Sequence, residues 1–366
     1  PDRIENFQSS LIDILVFNET QKARRVFMNF LHNPVGDKSM KDFDINDLES
    51  EAIQYLKKAG ALQQTPIERL RHMNPLAIEI YKENGIELDS EPLEIAVCAQ
   101  HNNGGFAVDK WWQSSIRQTF VIGEMAGTHG VRRPGGSALN AGQVGGLRAA
   151  EYIISVYGCD LPDYADKQEE IDQQLTELVS RISYLVSRNT LHASRFMSLA
   201  PEEVIDQIQS RMTASAAHIR EPNDSRKALR QAVRLYKDIE QRRFRLEDRR
   251  DIIKAIQAEH LALASVAYLK AIVEMLQKGS GSRGSHLVLA EDGVGVHPDI
   301  VNTATGGVLK FKPEEKALRD SILQIEYDSA LADLFRCRSV EPRPAPADRK
   351  AFERAWQDFR EGKIYS

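Results

Sequence analysis

Apolar and polar positions change their period three times along this chain. Over residues 1–90 short alternating runs mix with helical ones. QKARRVFMNFLHNP alternates Val26, Met28 and Phe30 before Asn33-Pro34 closes the run, the pattern of a strand. INDLESEAIQYLKKAG reads as an amphipathic helix capped by Asn46 and ended by Gly60. A further helix is predicted over 66–84, with Pro75 set to kink or divide it. Residues 91–122 carry three strand-like pieces, LEIAVCAQ, GGFAVD and RQTFVIGE. The helix predicted over 139–157 has small residues on several faces, among them Ala141, Gly142, Gly145, Gly146, Ala149 and Ala150. Such a surface admits a sheet or a cofactor at short range, at a propensity cost of about 1 kcal/mol per glycine.

From 163 to 278 the pattern is almost purely helical. EEIDQQLTELVSRISYLVSR has one apolar stripe, and the next helix starts at Ser198 or Pro201. AEHLALASVAYLKAIVEML is apolar nearly all round and is expected to be the buried member of a bundle. GSGSRGSH breaks the pattern; residues 287–366 are mixed, with a strand over 321–327, a stiff PRPAPAD linker and a final helix. No internal repeat is present. The period changes divide the chain into 1–90, 91–157, 158–278 and 279–366.

Composition narrows the function classes. The chain has 366 residues, 42% hydrophobic and 28% charged, with a formal net charge of −5, which argues against a general nucleic-acid surface. Between Arg220 and Lys254 there are 12 Lys/Arg against 7 Asp/Glu, with Tyr236 and Phe244 interleaved. A solvated helix laced with i,i+4 ion pairs accounts for that run better than a nucleic-acid face does. Cys98, Cys159 and Cys337 are odd in number and far apart, and no cysteine or histidine spacing makes a metal site. No apolar run reaches the length of a membrane span and no signal peptide opens the chain, so a cytoplasmic protein with reduced thiols is expected. Pro1 stands in what reads as mid-domain sequence, so the C-terminal portion of a longer protein is expected.

The chemistry concentrates in GEMAGTHGVRRPGGSALNAGQVGGLRAAEYI, from Gly123 to Ile153: a strand end, a glycine-rich loop and a helix opening behind it. A loop of this kind brings backbone close to a ligand, and a helix start offers unpaired N–H groups and positive dipole to an anionic atom. Alone, it could equally be a tight structural turn. The order of its neighbours is more specific: QHNNGGFAVD, a strand ending in Gly123-Glu124, HGVRRPGGSAL from His129 to Leu139, and VGGLRAA at 144–150. This order resembles the flavoproteins of fumarate reductase, succinate dehydrogenase and L-aspartate oxidase, and SRGSH at 282–286 resembles a segment that follows their helical bundle. The resemblance covers residues 91–290 and is closest to an uncharacterised bacterial branch of that family.

The resemblance implies a fold and a set of roles. The fold is α/β plus α: the end of a cap (substrate) domain at 1–90, the return strands and flavin-facing helix of a two-dinucleotide-type FAD domain at 91–157, a helical bundle at 158–278, and a small mixed C-terminal segment. Glu124 would accept hydrogen bonds from the ribose hydroxyls of FAD, its bland alternative being a solvated strand-end carboxylate. Gly136, Ser137, Ala138 and Leu139 would bring backbone N–H groups to the pyrimidine edge of the isoalloxazine. Gly104 and Gly105 would pass the ring face. Arg133 matches the arginine that clamps a substrate carboxylate in a bidentate fork, with Arg132 as the competing inward residue. His101 is the candidate substrate hydrogen-bond donor. Aligned on the double glycine, however, the family histidine falls at Gln100, and a shift of one in a strand reverses the face. Arg283 and His286 read as packing residues, and Trp111 and Trp112 either cover the flavin or pack an edge.

One part of the family pattern is not found. Its dinucleotide fingerprint GxGxxG, which seats the FAD pyrophosphate, does not follow a strand anywhere in the 366 residues. The expected partners are therefore an N-terminal FAD-domain segment or chain and a small, carboxylated substrate. No nucleic acid and no membrane span are expected, and oligomeric state stays open, a homo-oligomer included. The rival is a non-catalytic helical interaction protein that lost its cofactor.

Overall fold

The computed structural model describes residues 11–38, 41–98, 104–129, 136–157, 164–188, 198–241, 243–246, 248, 250–283, 286–302, 305–344, 347 and 350–363. They form two compact units, one from residues 10–97 with 297–309, the other from 98–296 with 310–366.

The first unit holds α1 (Leu11–Gln21), β1 (Val26–Met28), α2 (Ser50–Lys58), α3 (Pro66–Met73), α4 (Pro75–Glu83) and β2 (Leu93–Ile95). β1 and β2 pair antiparallel with Phe27 opposite Glu94, and Arg25 grips Glu94 through two bonds of 3.0 and 2.7 Å. The strand expected to run on to Phe30 stops at Met28, because only three residues of LEIAVCAQ pair with it. The expected Asn46 cap is corrected: Asp44 accepts from the Asn46 N–H to start a 3-10 turn, Ile45–Asp47, and α2 begins only at Ser50. Thr65 and Glu68 form a reciprocal capping box for α3, with Pro66 at its first position. Pro75 divides rather than kinks the predicted helix. Asn74 before it sits at φ −153°, ψ 76°, outside the helical region that a following proline disfavours. The distant segment 297–309 closes this unit, where Ile300 is fully buried and the Asp299 carbonyl accepts from the buried Asn18 of α1 at 3.2 Å.

The second unit runs through α5 (Ser137–Tyr152), α6 (Gln168–Arg188), β3 (Ser198–Leu199), α7 (Pro201–Ala216), β4 (Ile219–Arg220), α8 (Pro222–Gln241), β5 (Arg243–Phe244) and α9 (Asp251–Gln277). It continues with β6 (Leu287–Gly295), β7 (Lys310–Phe311), β8 (Ile322–Tyr327), β9 (Phe335–Val340) and α10 (Ala351–Arg360). Its core lies where α7, α8 and α9 pack together, with Val204 and Ile208 of α7 and Ala232 and Ile239 of α8 buried. On α9, Ala255, Ala258, Ala262, Val266, Leu269 and Val273 recur at three- and four-residue spacing and all are buried, so small residues let its neighbours approach closely. The expectation of burial all round is corrected: Ile253, Leu261 and Tyr268 on α9 are exposed. α9 is also long and apolar enough, by length and composition alone, to cross a membrane, which corrects the expectation that no such run exists. Here one stripe of it is the core of a helical layer, and its Lys270 is tied to Glu274 at 2.6 Å and to Asp333 of the β8–β9 hairpin at 2.7 Å.

The sheets are small. β4, β6 and β7 form a three-stranded sheet with β4 and β6 parallel; β8 and β9 pair antiparallel from Ile322↔Val340 to Tyr327↔Phe335. Mixed helix and strand content agrees with the expected class.

Candidate functional site

Gly105 is where two segments of backbone cross. A Cβ built there would lie 2.3 Å from the Met125 carbonyl oxygen and 2.9 Å from the Gly127 nitrogen, so only glycine fits. Phe106 N–H donates to the Met125 carbonyl at 2.8 Å and Gly127 N–H to the Phe106 carbonyl at 2.9 Å, a one-residue parallel bridge between Phe106 and Ala126. Gly104 beside it has open space around its missing side chain among the described residues.

Between these segments the chain makes an irregular hairpin rather than the strands expected of GGFAVD and RQTFVIGE; only Gln113 and Phe120 bridge. The cause is local. Asp109 Oδ1 accepts from both Trp111 N–H (2.7 Å) and Gln113 N–H (2.9 Å), a side-chain turn that competes with strand pairing and leaves Trp112 at φ +64°. The chain returns through Gly123 at φ +73° into a 3-10 turn, Gly123–Met125, which puts the exposed carboxylate of Glu124 at the apex instead of at a strand end.

The glycine face of α5 packs on this hairpin. A Cβ at Gly142 would be 3.5 Å from Gly123 Cα, and one at Gly145 would be 2.7 Å from the indole of Trp112. Trp111 is buried and stacks on Tyr152 at 5.1 Å, with the Arg148 guanidinium 4.7 Å over its ring. Both tryptophans therefore pack the edge between hairpin and helix. They fix α5 against the Glu124 turn, a role that the order of residues alone leaves open. α5 starts at Gly136, held at φ +78°, with no side-chain cap; its first helical bond is Asn140 N–H to the Gly136 carbonyl at 3.2 Å. The N–H groups of Ala138 and Leu139 have no backbone partner among the described residues, the usual state of a first helical turn open to a ligand.

Of the residues singled out from the sequence, Gly104, Gly105, Glu124, Gly136, Ser137, Ala138 and Leu139 thus lie on three segments that touch one another. Phe106, Met125 and Leu139, on the same three segments, are 61, 63 and 75% exposed, an apolar rim with no cover among the described residues. His101 and Arg133, with Arg132, lie outside the described residues. Gly127 and Gly142 were not picked out as site residues. The signal that could have found them is the run of glycines spaced across two segments, read as one crossing instead of two loops.

Comparison with known proteins gives these features a setting. No protein-family model matches the chain. It is 31% identical over 150 residues to the flavoprotein-type chain of fumarate reductase (CoM/CoB) from Methanothermobacter marburgensis, a match covering 41% of this chain and 24% of that one. It is 29% identical over 125 residues to L-aspartate oxidase of Pyrococcus abyssi, covering 32% and 27%. Among solved structures, a FrdA variant of E. coli quinol fumarate reductase superposes with a TM-score of 0.56 at 16% identity, over 91% of this chain and 57% of that one. Sdh1 of Mycobacterium smegmatis gives 0.51 at 18% identity, over 93% and 54%. The chain is homologous to the fumarate reductase and L-aspartate oxidase oxidoreductases and has the fold of the flavoprotein subunits of fumarate reductase and succinate dehydrogenase. It spans a little over half the length of those solved flavoproteins, and its matches cover about a quarter of its curated relatives.

Proposed function

We propose that this chain is the C-terminal portion of an FAD-dependent oxidoreductase that passes a hydride between the flavin and a small, carboxylated substrate. The observation that carries the reading is the meeting of Gly104-Gly105, the Glu124 turn and the open N-terminus of α5. The fit is chemical as well as positional: a carboxylate able to accept hydroxyl hydrogens, uncapped N–H groups, a glycine with empty space and an apolar rim are the groups a flavin nucleotide would use. Glu124 would hold the ribose hydroxyls, and Ser137, Ala138 and Leu139 the pyrimidine edge. Bound there, FAD would supply the two-electron chemistry that no amino-acid side chain provides. The helix N-terminus contributes positive potential where negative charge develops on reduction. Arg133 would orient a substrate carboxylate and His101 would donate a hydrogen bond to the substrate, each by resemblance.

In this reading residues 1–90 belong to the cap domain, and a preceding segment or separate chain carries the pyrophosphate seat and covers the apolar rim. The three scattered cysteines fit work in a reducing cytoplasm. The roles of Arg133 and Arg132 are separable by steady-state kinetics on the complete protein, once a carboxylated substrate that bleaches the flavin anaerobically is in hand. Arg133→Lys keeps the charge and loses the fork, so KM should rise about tenfold with little change in flavin absorbance. The same rise in Arg132→Lys alone would assign the clamp to Arg132 instead.

A further inference from the structure

The strand junctions of the second unit gather cations around one buried imidazole. β4 and β6 run parallel with Ile219 opposite Leu287 and Arg220 opposite Val288, and Leu287 N–H donates to the His218 carbonyl at 2.7 Å. His218 and His286 each stand one residue before that pair, so they are neighbours, and Arg220, two residues beyond His218, shares its face. Arg283 and His286 exchange both backbone hydrogen bonds, at 2.9 and 3.3 Å, which sets their side chains on one side of the ladder.

His286 is 5% exposed. Its ring donates to the Gly281 carbonyl while Nε2 has no partner among the described residues. The donating nitrogen is therefore Nδ1, and the neutral ring presents Nε2 as a bare acceptor. Burial, then the charges of Arg220 and Arg283 and that of His218, push the imidazole down to about 3, so it stays neutral across the physiological range. Arg220 donates through Nε to the Ala216 and Ala217 carbonyls, both at 3.2 Å, and pairs with no described carboxylate; burial lowers it to about 10. Arg283 is 3.0 Å from Glu314, a nearly buried carboxylate that Arg319 also holds. The cluster thus keeps one guanidinium without a counter-ion beside an imidazole that offers only a lone pair, a combination that is costly unless something fills it.

What fills it must supply oxygens to the arginines and an O–H to His286. Chloride and sulfate have no proton to give near neutral pH, whereas phosphate and its monoesters carry both P–O⁻ and, in the singly protonated form or as free phosphate, P–OH. We infer that Arg220, Arg283 and His286 form a binding site for a protonated oxyanion of the phosphate class. Its hydroxyl donates to His286 Nε2 and its anionic oxygens accept from the two guanidinium groups. Binding transfers no proton to the imidazole.

Titration calorimetry of inorganic phosphate into the 366-residue chain at about pH 6.5, with sulfate at matched ionic strength, tests this directly. Phosphate should bind at least about tenfold more tightly than sulfate, the worth of one hydrogen bond to a charged ligand. His286→Phe should erase the preference, and Arg220→Gln should weaken phosphate about tenfold. Glycerol phosphate in place of inorganic phosphate separates an esterified ligand from the free ion, and tight binding of either supports the site. If a variant fails to fold, the histidine nitrogen resonances of the unaltered chain serve: Nε2 of His286 should shift on adding phosphate while the ring stays neutral. Binding of neither anion, equal affinity for both, or a preference surviving His286→Phe in a folded protein would overturn the site.

Discussion

Replacing Gly105 with alanine should cost the complete protein its flavin, whereas the same change one residue earlier should leave the fold unaltered. The new Cβ at 105 would meet the Met125 oxygen at 2.3 Å, with Ala126 C and Gly127 N at 2.9 Å, and none of these backbone atoms can swing aside. Relief requires the two segments to part, which breaks the bonds Phe106 N–H to Met125 and Gly127 N–H to Phe106. Overpacking of this kind costs roughly 1–3 kcal/mol, and two lost backbone bonds add about 1 kcal/mol each. The site should therefore loosen by about 3 kcal/mol, seen as faster hydrogen exchange at Phe106 and Gly127 and as FAD affinity lower by about two orders of magnitude. Gly104 has nothing within 4 Å among the described residues, so Gly104→Ala should leave thermal stability unchanged. If FAD runs past it, the same variant weakens FAD binding. Unchanged stability and unchanged binding in Gly104→Ala would move the ring face elsewhere.

Glu124→Ala should have the second large effect. Glu124 sits exposed at the apex of its 3-10 turn, whose geometry comes from Gly123 at φ +73° and not from the carboxylate, so truncation should spare the fold. A carboxylate accepting two hydroxyl hydrogens contributes about 1.5–3 kcal/mol per bond, so its loss should raise the Kd for FAD by about 10²-fold. Glu124→Gln keeps acceptor geometry without charge and should recover part of that, about tenfold. FAD titrations on the complete protein read both. An Ala variant that binds like the unaltered protein would make Glu124 the solvated carboxylate of the bland alternative.

The helices were legible because each signal is local: Thr65-Pro66 opens α3, Pro75 splits it from α4, and the loop ahead of Ser137 opens α5. What escaped was non-local or set by competition. The Asp109 side chain outcompetes strand pairing for two N–H groups, so GGFAVD and RQTFVIGE, which alternate like strands, form a hairpin with a single bridge. The return of 297–309 to the first unit depends on Asn18 meeting Asp299 across 281 residues, which no window of sequence displays. At the candidate site, the glycines were visible as glycines, but only the fold reveals that Gly105 and Gly127 are two sides of one crossing and that Gly145 is the seat of Trp112. α9 misled in a third way: apolar composition marked it as central without saying that a single stripe of small residues carries its packing.

The most direct measurement is a flavin titration, by absorbance near ~450 nm and fluorescence quenching, comparing this chain with the same chain joined to the segment that precedes it in its gene. The expected result is stoichiometric FAD on the joined protein and weak or no binding to the chain alone, because these three segments hold the ribose and ring but offer no pyrophosphate seat. Failure of both to bind would contradict the flavoprotein reading and leave an interaction protein that retains the fold without the cofactor.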